Sequence, residues 1–535
     1  MSKKVIMDSD VRIQDIVSVA TNGASIQLSH QARAKMVESA NLLDKLVSER
    51  RLIYGVTTGF GPLAESYVDP ANAETLQRNL IYHLCAGVGD YYPREQVRAI
   101  MAARIATLSR GWSGITPDSV ELLIAMLDHD IIPAVPQMGT VGASGDLTPL
   151  AHIALAAIGE GEVLSLKDDC TVIPTKDALQ QAGLRPLKLR RKEGLALVNG
   201  TAAMTGVAVL NAVNVEHAID LAESLTVLFG EISGTRAEAW NERIAAARPH
   251  DGQITSTHNL NRLAEDSQKL DFSLSAHQTL PVMEKSGLLQ QQALPQDAYT
   301  LRCAPQEFGA ARDVLNFHNG IVEQELNSTT DNPLIDCETA CVYHGGNFYG
   351  QHVAYASDTL MMAVIKLAVH AERVIARITD TKLNGTLPAF LTGSGQSGLH
   401  SGFMGAQVTA SAIVAEMRSK AIPASIHSIP TNANNQDVVT MGTIAARRTS
   451  ELLTMLWKVL SIEALVLSQA AELESNEDLT GYCSSSRHLY QLVREISKPL
   501  TEDRPLHNEI ESLAARLSLG EHTLQTALGE DLNAA

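Results

Sequence analysis

The sequence is short of aromatic residues, of positive charge and of paired cysteines, and each shortage excludes a class of protein. Aromatic residues make up only 4% of the 535 residues, whereas alanine and leucine are plentiful, a balance that favours closely packed helices over a β-sandwich. The formal net charge of -18 offers no basic stripe that could displace the counterions of DNA or RNA, so we expect no nucleic-acid partner. The six cysteines lack the spacing of a disulfide framework or a zinc ribbon, which predicts reduced, metal-free thiols.

Membrane, metal and nucleotide signals are also missing. No apolar run approaches the roughly 18 residues needed to span a bilayer, and the N-terminal MSKKVIMDSD has no apolar core of a signal peptide. We therefore predict a cytoplasmic protein that does not interact with a membrane. Paired metal-binding histidines, a GxSxG elbow and a Walker loop are absent, and GSGQSG at 393–398 matches the dinucleotide fingerprint without the required βαβ context. Neither a metal nor a nucleotide cofactor is expected.

Helical periodicity dominates what is present. A helix with a serine cap is predicted to begin at Ser29, whereas residues 161–186 are rich in turn and strand formers. Three long segments are apolar on more than one face, which a helix tolerates only when protein surrounds it. They span residues 200–232, 356–380 and 450–474.

These patterns predict an all-α fold in which long helices form a central bundle. A smaller, mixed N-terminal domain precedes it. We place the N-terminal domain at residues 1–215 and the helical core domain at 216–535.

The segment GTVGASGDLTPLAH concentrates small residues directly before an acid. If the chain bends sharply enough here, the Gly145 nitrogen can attack the Ala143 carbonyl carbon and close a five-membered ring. Loss of two waters, one carrying the Ser144 hydroxyl oxygen, would leave a 4-methylidene-imidazol-5-one (MIO). Gly145 suits this reaction because it has no Cβ to block the approach. An Ala-Ser-Gly triplet is common by chance, however, so the triplet alone predicts only a turn.

The sequence resembles the MIO-dependent aromatic amino-acid ammonia-lyases and aminomutases from about residue 12 to about residue 520, and within them the bacterial tyrosine ammonia-lyases. Such a resemblance implies an architecture like that of fumarase and aspartase, a homotetramer with shared active sites, and elimination of ammonia from an aromatic L-amino acid. Seven further segments carry it, in the family's order: YGVTTGFG (54–61), LVNGT (197–201), QDAYTLRCAPQ (296–306), NSTTDNPL (327–334), GGNFYGQ (345–351), SGFMGAQ (401–407) and NNQDVV (434–439).

The resemblance assigns roles to individual residues. Tyr54 matches the catalytic base, and a phenol with an ordinary pKa near ~10 must be tuned down to act at neutral pH. Arg302 matches the clamp for the substrate carboxylate, which a guanidinium can hold with two hydrogen bonds. Asp146 matches the acid implicated in MIO formation. The other matching positions are Leu84, Asn199, Tyr299, Phe348, Asn435 and Gln436, while Asp331, Asn332 and Asn347 could equally be turn formers.

Two residues bear on the substrate. The pair His83-Leu84 stands at a position where tyrosine-selective lyases resemble one another. A histidine there can form a hydrogen bond with the phenol hydroxyl of tyrosine, which phenylalanine lacks. Gln436 stands where histidine ammonia-lyases have a glutamate. The resulting prediction is the conversion of L-tyrosine to p-coumarate and ammonia.

Several alternatives stay open. A tyrosine or phenylalanine 2,3-aminomutase would share every catalytic residue, and a phenylalanine or histidine ammonia-lyase would differ only in the pocket. His400 and Cys85 depart from the usual residues of the family and could reshape that pocket. A non-catalytic helical scaffold would be expected to lack Tyr54, Arg302 or the Ala-Ser-Gly triplet, all of which are present.

Overall fold

The computed structural model describes residues 4–7, 10–168, 171–277, 296–393 and 395–520. Helices account for most of these residues, which confirms the all-α prediction. They are α1 Ile13–Thr21, α2 His30–Ser48, α3 Ala73–Leu84, α4 Arg94–Leu108, α5 Pro117–Asp128, α6 Leu147–Ala157, α7 Thr175–Gln181, α8 Glu193–Val198, α9 Ala202–Ser233, α10 Glu242–Ala247, α11 Asp251–Leu263, α12 Tyr299–Arg302, α13 Ala304–Leu326, α14 Gln351–Thr379, α15 Met404–Ser419, α16 Gly442–Ser475, α17 Ser484–Ile496 and α18 His507–Ser518.

Strands in the described ranges are short and form two-stranded sheets. The first pair is parallel, and the other three pairs are antiparallel. In chain order the pairs are β1 Lys4–Met7 with β2 Ser25–Leu28, β3 Val88–Tyr91 with β4 Pro136–Met138, β5 Glu162–Leu164 with β6 Val172–Pro174, and β7 Leu334–Asp336 with β8 Cys341–Tyr343.

The longest predicted helices are confirmed, with small differences at their ends. The hydroxyl of Ser29 accepts a hydrogen bond from the Ala32 N–H at 3.0 Å and caps α2 as expected. Helix α16 begins at Gly442, earlier than predicted. The segment 161–186 contains the β5–β6 hairpin, but it also holds the unpredicted α7, whose few residues are too short to give a clear helical period.

The chain divides into two compact units. The first unit comprises Met1–Ala212, Phe317–Thr359 and Pro423–Ser450, and the second comprises Val213–Asn316, Leu360–Ile422 and Glu451–Ala535. Every strand of the described residues belongs to the first unit. The first unit includes two segments that follow residue 215 in the chain, and the division into domains at that residue remains a prediction.

Helix α4 runs through the core of the first unit. Every residue from Val97 to Leu108 is buried, including two arginines, Arg98 and Arg104. Helices α3, α6 and α8 pack against one another in the same unit. In the part of the chain that the structure describes, no helix is long and apolar enough to cross a membrane.

Candidate active site

The Ala-Ser-Gly triplet lies in the loop between β4 and α6, in a tight turn that only glycine fits. Gly145 has a φ of +71°, in the left-handed region that favours glycine. Its backbone forms a bridge with Gly200, and a Cβ on Gly145 would collide with the Gly200 carbonyl. The next residue, Asp146, donates its N–H to the Gly200 oxygen at 2.7 Å. The turn is therefore held in register with the segment that follows α8.

A second segment holds the other end of this loop. The Thr440 hydroxyl donates to the Gly142 oxygen at 3.0 Å, and the Met441 N–H donates to the Val141 oxygen at 2.9 Å. Ala143 is buried in an apolar cluster with Ala424, Val439, Met441 and Ala445.

Asp146 is a buried carboxylate at the start of α6. Its Oδ2 accepts a hydrogen bond from the Met204 N–H at 2.8 Å, and its Oδ1 accepts one from the Thr443 hydroxyl. Burial raises the pKa of Asp146 to about 6, although both hydrogen bonds act in the opposite direction. This carboxyl can therefore change its protonation state near neutral pH.

Ser144 faces the side chain of Gln436. The Gln436 Nε2 donates to the Ser144 hydroxyl at 3.2 Å. Thr431 fixes the orientation of that amide, because its hydroxyl donates to Gln436 Oε1 at 2.7 Å and the two backbones exchange hydrogen bonds. The amide N–H of Gln436 is thus directed at the loop, while Asn435 is exposed beside it.

Tyr54 lies in the loop between α2 and α3, where two hydrogen bonds position it. Its phenolic oxygen accepts the Gly61 N–H at 2.8 Å, and its own N–H donates to Nε2 of His344 at 3.1 Å. The Phe60 ring stands edge-on to the tyrosine ring, with centroids 6.3 Å apart. A Cβ on Gly61 would collide with the amide of Asn432, so this loop packs against the segment that carries Gln436.

His83 and Leu84 end helix α3, which packs against α6. His83 is exposed, and its Nδ1 lies 3.0 Å from the Asn79 carbonyl oxygen. A carbonyl can only accept, so Nδ1 carries the proton in neutral His83 and Nε2 presents a lone pair. The residue therefore offers a hydrogen-bond acceptor with a defined tautomer.

Asn199 follows α8 directly and is 4% exposed. Its Oδ1 is buried and has no hydrogen-bond partner among the described residues. Buried polar atoms are normally paired, so an unpaired one next to the Gly200 bridge is a position where a further group can bind. Phe348 is half-buried in the turn before α14, and its packing against the triplet remains a prediction.

Tyr299 and Arg302 form helix α12 of the second unit. The Arg302 guanidinium lies 4.5 Å from the centre of the Tyr299 ring and donates to Gln296 Oε1. A cavity of about 400 Å³ opens here, and its polar lining includes Arg236, Glu238, Asp297, Arg302 and Gln306. Tyr299 and Arg302 lie three positions apart on this short helix.

Comparison with known proteins decides the family. The model of the aromatic amino acid lyase family matches residues 11–495. The chain belongs to this family. Its members are carbon–nitrogen lyases, so the prediction of an enzyme is confirmed.

Relatives within the family differ in their named reactions. The tyrosine ammonia-lyase of Cereibacter sphaeroides is 44% identical over 514 residues, which is 96% of this chain and 97% of that protein. The histidine ammonia-lyase of Caldanaerobacter subterraneus is 40% identical over 510 residues, 95% of each chain. The crystal structure of a tyrosine aminomutase from Streptomyces globisporus superposes with a TM-score of 0.92 at 36% identity and covers 100% of both chains. The substrate of this family member must therefore be inferred from its site.

Several residues of this lyase site were missed from the sequence. Thr443 and His344 are not distinguished by any local pattern, and their role depends on tertiary contacts. Asp331, which we left as a possible turn former, pairs with Lys192 at 2.6 Å, and both side chains are fully buried. Arg104 gave a signal, as did Arg98 on the same helix, because an arginine in a largely apolar stretch of helix needs partners when it is buried.

The described residues contain no group of histidine, cysteine, aspartate and glutamate side chains that could hold a metal ion. Cys85, Cys303, Cys337, Cys341 and Cys483 are free thiols. Cys170 lies outside the described residues.

Proposed function

We propose that this lyase converts L-tyrosine to p-coumarate and ammonia with an MIO group made from Ala143, Ser144 and Gly145. The observation that carries the proposal is the glycine turn at Gly145, fixed against Gly200 by the backbone bridge and by the 2.7 Å hydrogen bond from Asp146. The bridge fixes the backbone of Gly145, whose nitrogen is the atom that ring closure joins to the Ala143 carbonyl carbon.

The surrounding residues fit the MIO group. The unpaired Asn199 Oδ1 and the amide of Gln436 supply polar contacts near the triplet. Ring closure forms a bond between the Gly145 nitrogen and the Ala143 carbonyl carbon, and the carbonyl oxygen leaves as water with the hydrogens of the Gly145 and Ser144 amide nitrogens. Ser144 loses its α-proton and its hydroxyl as a second water. The finished group supplies an electrophilic alkene carbon conjugated with a carbonyl.

Tyr54 is proposed as the base that removes the β-proton of the substrate. The hydrogen bond from Gly61 fixes the phenolic oxygen, and a deprotonated oxygen can still accept that bond. The bond from the Tyr54 N–H to His344 fixes the backbone on which the ring stands. We assign the binding of the substrate carboxylate to Arg302, because a guanidinium forms paired hydrogen bonds with a carboxylate. Tyr299, over which Arg302 lies, is the adjoining binding residue.

His83 is proposed as the residue that selects tyrosine. Its Nε2 lone pair accepts a hydrogen bond from a phenol O–H, because Nδ1 is engaged by the Asn79 carbonyl. Phenylalanine has no donor at that position and leaves Nε2 unpaired. Leu84, Phe348 and Asn435 complete the proposed substrate pocket, and Asp146 assists MIO formation.

We also propose a cytoplasmic homotetramer with active sites shared between subunits, an N-terminal MIO domain at 1–215 and a helical core at 216–535. Exposed apolar side chains support contacts between subunits. In the second unit, Met362, Met404 and Val408 are 54%, 42% and 60% exposed. Light scattering after size exclusion should give a mass of four chains, and a monomer of full activity would contradict shared sites.

A tyrosine 2,3-aminomutase is the second candidate. The TM-score of 0.92 with a tyrosine aminomutase favours it, and every residue named above would keep its role. The two reactions differ in whether ammonia leaves or returns to the β-carbon.

One experiment tests the proposal. Purified enzyme is incubated separately with L-tyrosine, L-phenylalanine and L-histidine, and ammonia, the absorbance of the unsaturated acid and any β-amino acid are measured. We expect equal amounts of ammonia and p-coumarate, with L-tyrosine preferred. A β-amino acid with little ammonia would assign the aminomutase, and ammonia from L-histidine alone would refute the tyrosine assignment.

The cofactor has its own test. The intact mass of the wild type should be lower than the encoded mass by two waters. Ser144→Ala should abolish the reaction, because the replacement has no hydroxyl to lose. Full activity of this variant would refute the MIO proposal.

A further inference from the structure

Arg104 is a buried cation surrounded by backbone carbonyls. Arg104 belongs to helix α4, and the residue is 1% exposed. Its Nη2 donates to the oxygens of Ala196 and Asn199, the latter at 2.7 Å, and its Nη1 donates to the Thr330 oxygen at 3.3 Å. Burial lowers the pKa of Arg104 to about 10, while Asp331 and Asp146 raise it in the opposite direction. A pKa at that value keeps the guanidinium charged at neutral pH.

Two of these carbonyls belong to the end of α8. The last carbonyls of a helix have no partner within the helix and carry a partial negative charge. A guanidinium with a planar set of donors can satisfy more than one of them at once. Arg104 therefore fixes the point at which the chain leaves α8 and enters the Asn199–Gly200 segment.

That segment is in direct contact with the reacting loop. Gly200 bridges Gly145, and its oxygen accepts the Asp146 N–H. A Cβ on Gly200 would collide with both Arg104 and the Thr330 carbonyl, so the backbone of Gly200 packs on the guanidinium itself. Gly200 therefore connects Arg104 to the triplet, since it contacts both the guanidinium and Gly145.

We propose that Arg104 is a positioning residue for MIO formation: by holding the end of α8 through its carbonyls, it sets the register of Gly200 and thereby the position of the Gly145 nitrogen that closes the ring. This inference rests on the proposed function. Arg104 hydrogen-bonds to Ala196, Asn199 and Thr330 and packs on Gly200, and none of these residues supplies a reacting atom. Its effect is transmitted through Gly200.

The chain offers a matched control on the same helix. Arg98 is also buried, at 8% exposed. It donates to the Val19 oxygen at 2.8 Å, to the Leu127 oxygen at 3.1 Å and to Asp130 at 2.9 Å. It therefore hydrogen-bonds to three residues, as Arg104 does, but to none in the segments that hold the reacting loop. Arg98→Lys should lose comparable stability without affecting ring closure.

The experiment compares Arg104→Lys with Arg98→Lys and the wild type. A lysine keeps the charge, but a single ammonium cannot reproduce the fork that spans these carbonyls. The proteolytic peptide with residues 143–145 is analysed by mass spectrometry at successive times after synthesis, and the fraction that has lost two waters is recorded together with Tm. We expect ring closure about tenfold slower in Arg104→Lys, which corresponds to about 1.4 kcal/mol in activation free energy, and unchanged in Arg98→Lys.

A second pair of variants covers the case in which Arg104→Lys fails to fold. Gly200→Ala keeps the guanidinium, but its Cβ would collide with the guanidinium and with the Thr330 carbonyl, so it should also slow ring closure. Gly320→Ala is its control, because a Cβ at Gly320 has no atom within 4 Å. Complete and rapid loss of both waters in folded Arg104→Lys, or in Gly200→Ala, would overturn the inference. Retention of both waters in the wild type would instead overturn the proposed function on which it rests.

Discussion

Replacing His83 by phenylalanine is the perturbation that addresses substrate choice most directly. His83 ends helix α3, and its Nδ1 is held by the Asn79 carbonyl at 3.0 Å, which leaves Nε2 as the acceptor. Phenylalanine fills a similar volume but cannot accept a hydrogen bond. The substitution should therefore remove a hydrogen bond that stabilises the transition state for tyrosine. It should also remove the acceptor that stays unpaired when phenylalanine is bound.

The magnitude follows from those two effects. A neutral hydrogen bond contributes about 1 kcal/mol net, and an acceptor left unpaired costs about 1–3 kcal/mol. His83 is exposed in this chain, so water can partly satisfy Nε2 and the lower end of the second range applies. The sum is about 2 kcal/mol, or about a 30-fold change in the ratio of kcat/KM for tyrosine to kcat/KM for phenylalanine.

The assay measures kcat/KM for tyrosine and for phenylalanine under identical conditions, from the absorbance of the product and from the ammonia released. Tyr82→Phe is the matched control, because Tyr82 precedes His83 on α3 and its hydroxyl donates to Glu160 at 2.8 Å. That variant also loses one hydrogen bond but should leave the ratio unchanged. His83→Gln, which keeps an acceptor oxygen, should retain more of the tyrosine preference than His83→Phe.

Two results would refute the reasoning about His83. One is a ratio that stays within about twofold of the wild type in His83→Phe, since that is below 0.5 kcal/mol. The other is an equal change in Tyr82→Phe, which would mean that disturbance of α3 alone alters the pocket.

Three further variants follow from the same geometry. Tyr54→Phe keeps the contact with Phe60 but loses the oxygen that accepts the hydrogen bond from Gly61. Its kcat should therefore fall by about 10²–10⁴-fold, while the mass of the peptide with residues 143–145 still shows loss of two waters. A smaller loss of kcat would exclude Tyr54 as the base. The pKa of Asp146 is raised from 3.8 to about 6, so the folded protein keeps a proton that the unfolded chain releases between about pH 4 and pH 6. Relative to Asp146→Asn, the wild type should lose about 3 kcal/mol of unfolding free energy as the pH rises through that window, and denaturation curves with a constant difference would contradict this. Lys192→Met leaves Asp331 buried without its 2.6 Å partner and should destabilise the protein by about 3–5 kcal/mol; an unchanged denaturation midpoint would show that the pair contributes nothing.

The parts of the structure that could be predicted from the sequence are those encoded by neighbouring residues. Apolar residues recur at helical spacing over many turns of α9, α14 and α16, so the sequence predicts these helices clearly. The Ala-Ser-Gly triplet is likewise contiguous, but it pointed to MIO chemistry only together with the seven further segments that resemble the family. By contrast, α7 is only 7 residues long and is stabilised by tertiary burial of Ala178 and Leu179, which no local period reveals.

The contacts that hold the reacting loop were not predictable, because they join distant residues. The Arg104 guanidinium meets Thr330 across 226 positions of the chain, and Thr443 meets Asp146 across 297. Neither pair has a spacing that a pattern could detect. An apolar helix interrupted by a buried arginine indicates that partners exist, but only the fold identifies them as the carbonyls beside Gly200.

If the triplet forms the proposed MIO group, these distant contacts explain how an ordinary triplet becomes reactive. Ring closure within a free peptide would have to fix several backbone dihedrals for one new bond, and each costs conformational entropy. Here Thr440 and Met441 hold one end of the loop, and Gly200 holds the other. Folding has therefore already restricted the chain before the nitrogen of Gly145 meets the carbonyl of Ala143, which raises the effective concentration of the reacting atoms. It follows that loss of the two waters should depend on native structure: chains kept unfolded in denaturant should retain both waters, and loss should begin only when they refold.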